Sequence, residues 1–370
     1  MNPPQDHSEG MATALRAAAL GLGASSPNPA VGAAIYRNET VLAVGGHRRA
    51  GLPHAEREAL TACGDARGAT LYVTLEPCCH SGRQPPCTQA VIEAGLARVV
   101  IGSADPDRRV DGGGVATLRA AGIEVVEGVA MADCDALNPG YLHRQRTGRP
   151  RVLLKTATTT EGAMATHTGH SQWITGPEAR RRVHELRARV AGIMVGGGTA
   201  RADAPHLNVR LDPTPSWRRA EHQPTRIVAS ISGEVAPPEG PGGETLLLGP
   251  NPVHGFDHHI APGAGWSETL RRLAEFGINE LLVEGGARLA GQLLAEGLVD
   301  EWLQMVAPMS VGGAGLQAVA GSGVDRLDQA RRGRLARVER LGDDACLWTV
   351  FDDQPSFADQ DAMLMRLFGA

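Results

Sequence analysis

Lysine is almost missing from this 370-residue chain: Lys155 is the only one, and every other residue in the count of 36 Lys plus Arg is arginine. Such wholesale use of arginine reads as a genomic or codon bias, and a lone lysine surviving it hints that an ammonium is required there. Aromatic residues are also scarce, at 4%, and the formal net charge is -5. A broad nucleic-acid surface, which would be basic and interleaved with aromatics, is therefore disfavoured. No apolar run nears the ~18 residues that span a bilayer, so no membrane association is expected. The apolar stretch Met11–Ala24 has the length of a signal core, but Asp6 and Glu9 precede it and Arg16 interrupts it. Cysteine is sparse as well: four of the six (Cys63, Cys78, Cys79, Cys87) crowd one stretch. Without a signal, such a cluster points to metal or catalysis rather than disulfides, and to a reducing, cytoplasmic setting.

What is present is globular. Hydrophobic residues make up 42% and charged residues 21% of the chain, and its length suits two domains. The first 130 residues alternate strand-like runs (Val31–Tyr36, Val41–Gly45, Thr70–Leu75, Val99–Gly102, Glu124–Glu127) with helical patterns at Ala55–Cys63, Thr88–Ala94 and Gly114–Ala121. This is the rhythm of an α/β sandwich. The basic, apolar-free stretch Arg144–Pro150 marks a boundary. A second α/β pattern follows, with strands at Arg151–Ala157, Gly192–Val195, Arg226–Ser230, Thr245–Leu248 and Leu281–Glu284, and further ones at Asp300–Ala307 and Ala345–Phe351. Its helices fall at Pro177–Val190, Ser267–Phe276 and Ala287–Ala295, separated by loops rich in Pro, Gly and His. Domains are thus expected over 1–147 and 148–352, with a tail over 353–370. The composition says nothing against a homo-oligomer.

The strongest chemical signal is His54-Ala55-Glu56, then Glu76-Pro77-Cys78, then Pro85-Pro86-Cys87. One imidazole and two thiolates form a borderline-soft set suited to Zn²⁺, and three protein ligands leave a fourth tetrahedral position open, as in catalytic sites. His54 and Cys87 each precede a predicted helix, where amide N–H groups and the dipole favour a thiolate. Glu56, in the first turn, can reach back toward the metal and carry a proton. Taken singly these parts are bland, since His-x-Glu often just starts a helix. Together, and in order inside a βαβ unit, they point to catalysis. Cys79 competes with Cys78 as ligand, and the Pro-Cys order favours Cys78. Cys63, Cys134 and Cys346 are expected in cores.

The arrangement resembles the zinc nucleobase deaminases, whose signature is H-x-E followed by P-C-x-x-C. Here eight residues separate Cys78 from Cys87, and that longer version is similar to the deaminase half of the bifunctional riboflavin-biosynthesis deaminase–reductases. Ser26-Pro27-Asn28-Pro29, Gly46-His47, Thr74–Cys78 and Asp105-Pro106-Asp107 agree with it. The resemblance implies a cytidine-deaminase-like three-layer domain in which Asn28, His47, His80 and Arg83 line the pyrimidine and phosphate pocket. Two positions depart from the family: Gln84 stands for Thr and Asp107 for Asn.

In the second half, Glu284-Gly285-Gly286 between a strand and a helix is a weak phosphate-binding signal by itself. The resemblance carries further here, through Lys155, Ser171–Thr175, Leu186-Arg187, Thr199, Asp203, Leu207, Arg210 and Glu284–Gly286. It implies a dihydrofolate-reductase-like α/β domain that uses NADPH. Ser171, Arg187, Leu207, Arg210 and Glu284 would hold the sugar phosphate. Ala157, Trp173, Thr199, Asp203 and the segment Gly286, Ala287, Arg288, Leu289, Ala290, Gly291, Gln292 would hold the cofactor, with Lys155 catalytic at the end of the first strand. Here too the chain departs: Thr159-Thr160-Glu161-Gly162 replaces Ser-Leu-Asp-Gly, and Asp203-Ala204-Pro205 replaces Asp-Asp-Pro. The implied reactions are hydrolytic deamination of 2,5-diamino-6-(5-phosphoribosylamino)pyrimidin-4(3H)-one, then reduction of the ribosyl chain to give 5-amino-6-(5-phosphoribitylamino)uracil. Two rivals remain: a nucleic-acid editing deaminase, and a zinc scaffold closed by a fourth ligand such as Cys79 or His80.

Overall fold

The structure, a computed structural model, describes residues 7–81, 84–218, 222–321 and 323–369. Its contacts divide the chain into two compact units, Met1–Arg146 with Thr214–Ala220 and Asp359–Ala370, and Thr147–Pro213 with Glu221–Ala358.

In the first unit the elements run α1 (Ser8–Ala19), β1 (Gly32–Arg37), β2 (Thr40–Gly46), α2 (Ala55–Cys63), β3 (Thr70–Leu75), α3 (Cys87–Glu93), β4 (Arg98–Ser103), α4 (Gly113–Ala120), β5 (Glu124–Val126), α5 (Met131–Leu137) and α6 (Pro139–Thr147). The sheet order is β2-β1-β3-β4-β5. β1 is antiparallel to both its neighbours, while β3, β4 and β5 are parallel. Strand alternation sends Ala33, Ile35, Leu71, Val73, Val99 and Ile101 to one face, where they pack on Ala55, Ala59, Val91, Val115 and Leu118 of α2–α4. The apolar stretch near the N-terminus is helical: α1 buries Met11, Ala14 and Leu15. Arg144–Thr147, expected as linker, is the last turn of α6, because buried Tyr141 and Leu142 in the turn before it anchor a helix that its charged end merely continues.

The second unit begins with β6 (Arg151–Thr158), β7 (Ala163–Ala165), α7 (Pro177–Arg187), β8 (Gly192–Gly196), α8 (Gly197–Asp203), β9 (Thr225–Ala229), β10 (Thr245–Leu248) and β11 (His258–Ile260). It continues with α9 (Trp266–Phe276), β12 (Glu280–Val283), α10 (Ala287–Ala295), β13 (Glu301–Val306), β14 (Leu316–Gln317), β15 (Arg334–Leu341) and β16 (Asp344–Val350), after which comes α11 (Phe357–Phe368). Nine strands form one sheet in the order β11-β10-β9-β8-β12-β6-β13-β16-β15, parallel from β11 to β13 and antiparallel beyond. One core lies under α9 and α10 (Leu270, Leu273, Leu289, Leu293) and the other under α7 (Ala179, Val183, Leu186) with Trp348. From central β6 the chain builds outward on both sides, so the carboxyl ends of β6, β8 and β12 meet at a topological switch point.

Three expectations change. Helix α7 stops at Arg187 rather than Val190, because Val190 is fully buried and leaves the helix for the core. The edge strand β15 (RLARVERL) escaped notice because charge masks its alternation. The last residues form α11, and from Asp359 onward they belong to the first unit, where Gln360 Nε2 donates to the Leu137 carbonyl (3.0 Å).

Candidate metal centre and second-unit cavity

His54 caps α2 from its N-terminal end and Cys87 opens α3, so two helix starts deliver two of the three expected ligands. Cys78 follows β3 on a short loop that α3 and α4 hold in place. The Cys87 N–H donates to Cys78 Sγ (3.4 Å) and the Thr88 N–H to the Cys78 carbonyl (3.2 Å). Glu76 accepts from the Gly112 and Val115 N–H groups at the start of α4 (both 3.1 Å). Gly114 permits this approach, since a Cβ there would lie 2.2 Å from the Pro77 carbonyl oxygen. Arg57 of α2 donates to the carbonyls of Pro85 and Pro86 (3.1 Å each) and so fixes the approach to Cys87. Sequence reasoning read Glu76 only as part of a motif and passed over Arg57; their roles are in the scaffold.

The three donor atoms lie within 4.8 Å of one another. His54 Nδ1 is 3.6 Å from Cys78 Sγ and 3.3 Å from Cys87 Sγ. A tetrahedral Zn²⁺ needs N···S edges of about 3.6 Å, so the donor set fits the ion in both chemistry and spacing. Among the described residues no fourth side chain joins this cluster; Cys79 Sγ turns to the Arg109 carbonyl (3.5 Å) instead. The Cys87 thiol, then His54 and the Cys87 N–H, donate to Cys78 and lower its pKa to about 4. Glu56 is 3% exposed. Burial first, then the charge of Cys78, raises its carboxyl pKa, as suits a group that takes up and returns protons.

Burial holds His47 neutral. Its Nδ1 meets the Pro53 carbonyl (3.0 Å), which puts the proton there and leaves Nε2 to accept from Asn28 Nδ2 (3.1 Å). The Nδ1 of His80 is buried and without a partner among the described residues. Arg83 lies outside the described residues. Asp107 is paired with Arg109 through two oxygens.

Asp105, 7% exposed, accepts from the Tyr141 hydroxyl (2.8 Å) and the Asp107 N–H (3.0 Å). Burial pushes its carboxyl pKa up to about 6. The folded state therefore binds this proton more tightly than the unfolded state. The associated stability is present below about pH 4 and is lost as pH rises through about 6, on the order of 3 kcal/mol in all. Asp105→Asn keeps the acceptor oxygen and removes the titration. Urea unfolding at pH 4.5 and pH 7 should show the variant gaining on the wild type as pH rises; parallel stability profiles would contradict this.

In the second unit a cavity of about 750 Å³ opens at the switch point, a size typical of ligand sites. Lys155 and Ala157 of β6, Ser171, Trp173, Arg187, Thr199, Asp203, Leu207, Arg210, Glu284, Gly286 and Ala290 all line it. Lys155 sits within β6 rather than at its end. Arg180, His184 and Arg187 follow one face of α7, and His184 is a lining residue that sequence reasoning passed over. Trp173 is 67% exposed, with the Arg180 guanidinium 4.9 Å from its ring centroid. Gly285 and Gly286 have φ of 139° and 95° and lie against Thr199, a bare backbone cradle of the kind a dinucleotide's phosphates approach.

Other members of the predicted cofactor segment are engaged elsewhere. Leu289 belongs to a core, Gln292 accepts from Trp266 Nε1 (3.0 Å), and Gly291 packs where a Cβ would lie 1.7 Å from the Ala320 carbonyl oxygen. Ala287 and Arg288 are outside the lining residues. The Arg187 fork, expected to face a phosphate, closes on Glu284 (2.5 and 2.8 Å) and on the Asn208 carbonyl (2.8 Å), which leaves two of its five N–H donors. Burial raises the Glu284 pKa, but Arg187 and then Lys155 outweigh it and hold the carboxylate ionised. Burial lowers the Lys155 pKa, against the pull of Glu284. Glu161 lies off the cavity and pins the next loop, accepting from Ser310 and from the Val311 and Gly312 N–H groups (2.9 and 3.1 Å). Ala204 ends α8 in the left-handed region, φ 39°.

Two family models match: the RibD C-terminal domain over residues 150–347, and the cytidine and deoxycytidylate deaminase zinc-binding region over residues 4–103. The riboflavin biosynthesis protein RibD of Actinobacillus pleuropneumoniae is 39% identical, the alignment covering 91% of this chain and 93% of that protein. Among solved structures, Acinetobacter baumannii RibD superposes with a TM-score of 0.84 at 34% identity, covering 94% of this chain and 99% of that one. The diaminohydroxyphosphoribosylaminopyrimidine deaminase/5-amino-6-(5-phosphoribosylamino)uracil reductase of Thermotoga maritima does so with 0.83 at 31% identity, covering the same shares.

Proposed function

This chain belongs to the RibD family of bifunctional riboflavin-biosynthesis enzymes, and we propose that its two sites act in sequence on one phosphorylated pyrimidine, deaminating it and then reducing its ribosyl chain. The observation that carries the reading is the open N/S₂ donor triangle with buried Glu56 beside it. His54, Cys78 and Cys87 would hold zinc, whose Lewis acidity makes water nucleophilic near neutral pH. Glu56 takes the first proton that water loses and passes it to the ring nitrogen, then carries the proton of the added hydroxyl to the departing ammonia, so that the ring keeps a carbonyl in place of the amine. Asn28, oriented by neutral His47, reads donors and acceptors on the pyrimidine, and His80 Nδ1, without a partner among the described residues, adds a further polar contact. Arg83 would fork onto the phosphate.

In the second unit, Gly285, Gly286, Thr199, Asp203, Ala157 and Trp173 would hold NADPH, which supplies hydride. Ser171, Leu207, Arg210 and Glu284 would hold the sugar phosphate, with Arg210 the principal partner of the phosphate. Lys155, with its depressed pKa and Glu284 nearby, gives a proton to the ribose ring oxygen as the ring opens. The six unpaired cysteines support a reducing, cytoplasmic setting. Among the described residues no helix is long and apolar enough to cross a membrane.

A coupled assay tests the division of labour: ammonia release and NADPH oxidation are followed separately in wild type and in Lys155→Arg. Arginine keeps the charge but does not deprotonate. NADPH oxidation is expected to fall by about 10²-fold or more with ammonia release unchanged. Reduction at the wild-type rate would remove Lys155 from the mechanism.

A further inference from the structure

One stretch of the reductase cavity has no place in the sheet and still keeps its backbone paired. Leu207, Asn208 and Val209 are buried (2%, 6% and 7% exposed) and lie outside helix and strand, so their peptide groups need partners from elsewhere. Four successive groups find them in three side chains. Arg187 Nη1 donates to the Asn208 carbonyl (2.8 Å). Gln223 accepts the Val209 N–H on Oε1 (2.8 Å) and donates from Nε2 to the Val209 carbonyl (3.2 Å). The Arg210 N–H donates to His184 Nδ1 (3.1 Å).

Gln223 thus does for Val209 what a paired strand does elsewhere. A primary amide suits this double role, because a carboxylate only accepts and an aliphatic side chain does neither. The stretch needs such fastening, since Leu207 is left-handed (φ 51°), a conformation that costs a branched residue and persists only where its surroundings over-determine it. Leu207 and Arg210 line the cavity; Gln223 does not.

We propose that Gln223 is a positioning residue of the reductase, clamping Val209 so that the Arg210 guanidinium, whose Nη1 donates to Asn208 Oδ1, presents its remaining donors to the substrate's phosphate. This rests on the reading of Arg210 given above, and the test separates the two. Steady-state kinetics with 5-amino-6-(5-phosphoribosylamino)uracil and NADPH are measured for wild type, Gln223→Leu, Arg210→Ala and the double variant, with denaturant unfolding of the same preparations as the control for folding. Arg210→Ala is expected to raise the pyrimidine KM about tenfold or more. Gln223→Leu is expected to raise it about tenfold, with kcat within about twofold and the NADPH KM unchanged, and to add nothing in the Arg210→Ala background. Gln223→Glu, which keeps the shape and turns a second acceptor toward the Val209 carbonyl, should behave like Gln223→Leu and decides the matter if the leucine variant fails to fold.

Wild-type KM in both Gln223 variants while Arg210→Ala is impaired overturns the proposal. So does an equal penalty in both backgrounds, or a loss confined to kcat. An unchanged KM in Arg210→Ala instead overturns the phosphate reading of Arg210, and the clamp's purpose with it.

Discussion

Glu56→Gln is expected to cut ammonia release by about 10²–10⁴-fold while leaving zinc content and NADPH oxidation intact when the deaminated compound is supplied. The carboxyl is buried beside Cys78 and Cys87, and burial, then the Cys78 charge, raises its pKa. Burial thus favours the protonated carboxyl more than water would, which suits a group that accepts a proton and passes it on. Glutamine has the same shape and the same acceptor oxygen, so the donor triangle should survive. It cannot carry a proton. Metal analysis alongside the two rate measurements separates the alternatives: a loss of zinc would make Glu56 a structural support of the centre, and retained ammonia release would remove it from proton transfer.

Glu301→Ala is expected to destabilise the reductase unit by about 3–5 kcal/mol. Arg151 and Glu301 are both 0% exposed and meet at 2.6 Å. The same carboxylate accepts from Trp348 Nε1 (2.8 Å) and from the Phe357 N–H (2.9 Å) at the start of α11. Alanine strands those donors in a dry site, and the Arg151 charge keeps its contact with Asp352 (3.1 Å) and the attraction of Asp300. The double variant Arg151→Met/Glu301→Leu should recover only the part that comes from the stranded Arg151 charge, because Trp348 Nε1 and the Phe357 N–H stay without their acceptor. Denaturant unfolding, with NADPH oxidation as the probe of the reductase, measures both. A shift under 1 kcal/mol for Glu301→Ala would mean that water reaches the pair.

The elements read directly from periodicity, β3, α2, β10 and α10 among them, combine a clear apolar alternation or stripe with a start or stop residue. Those missed were hidden by local chemistry. In β15, Arg and Glu occupy an edge strand whose outer face needs no apolar residues. Only long-range contacts such as Gln360 to the Leu137 carbonyl identify α11 as more than a tail. The donor cluster of His54, Cys78 and Cys87 was legible because its residue types and order are those a zinc site would demand. The supports of that site were not: Glu76 holds α4, Arg57 holds the Pro85-Pro86 turn, and glutamates and arginines of those kinds occur on any solvated surface.

The order of ligands along the chain, the family resemblance, the solitary lysine and the two α/β halves are properties of the sequence, since each depends on residue identity and short-range spacing alone. What tertiary structure decided is how far each side chain remains available. It closed the Arg187 fork on Glu284, sent Gln292 to Trp266, turned Glu161 into the anchor of residues 310–312, and enlisted Gln223 as a partner for Val209. The reason is physical: hydrogen-bonding capacity is finite and buried groups must be paired, so a residue's role depends on which neighbours have already claimed its donors and acceptors.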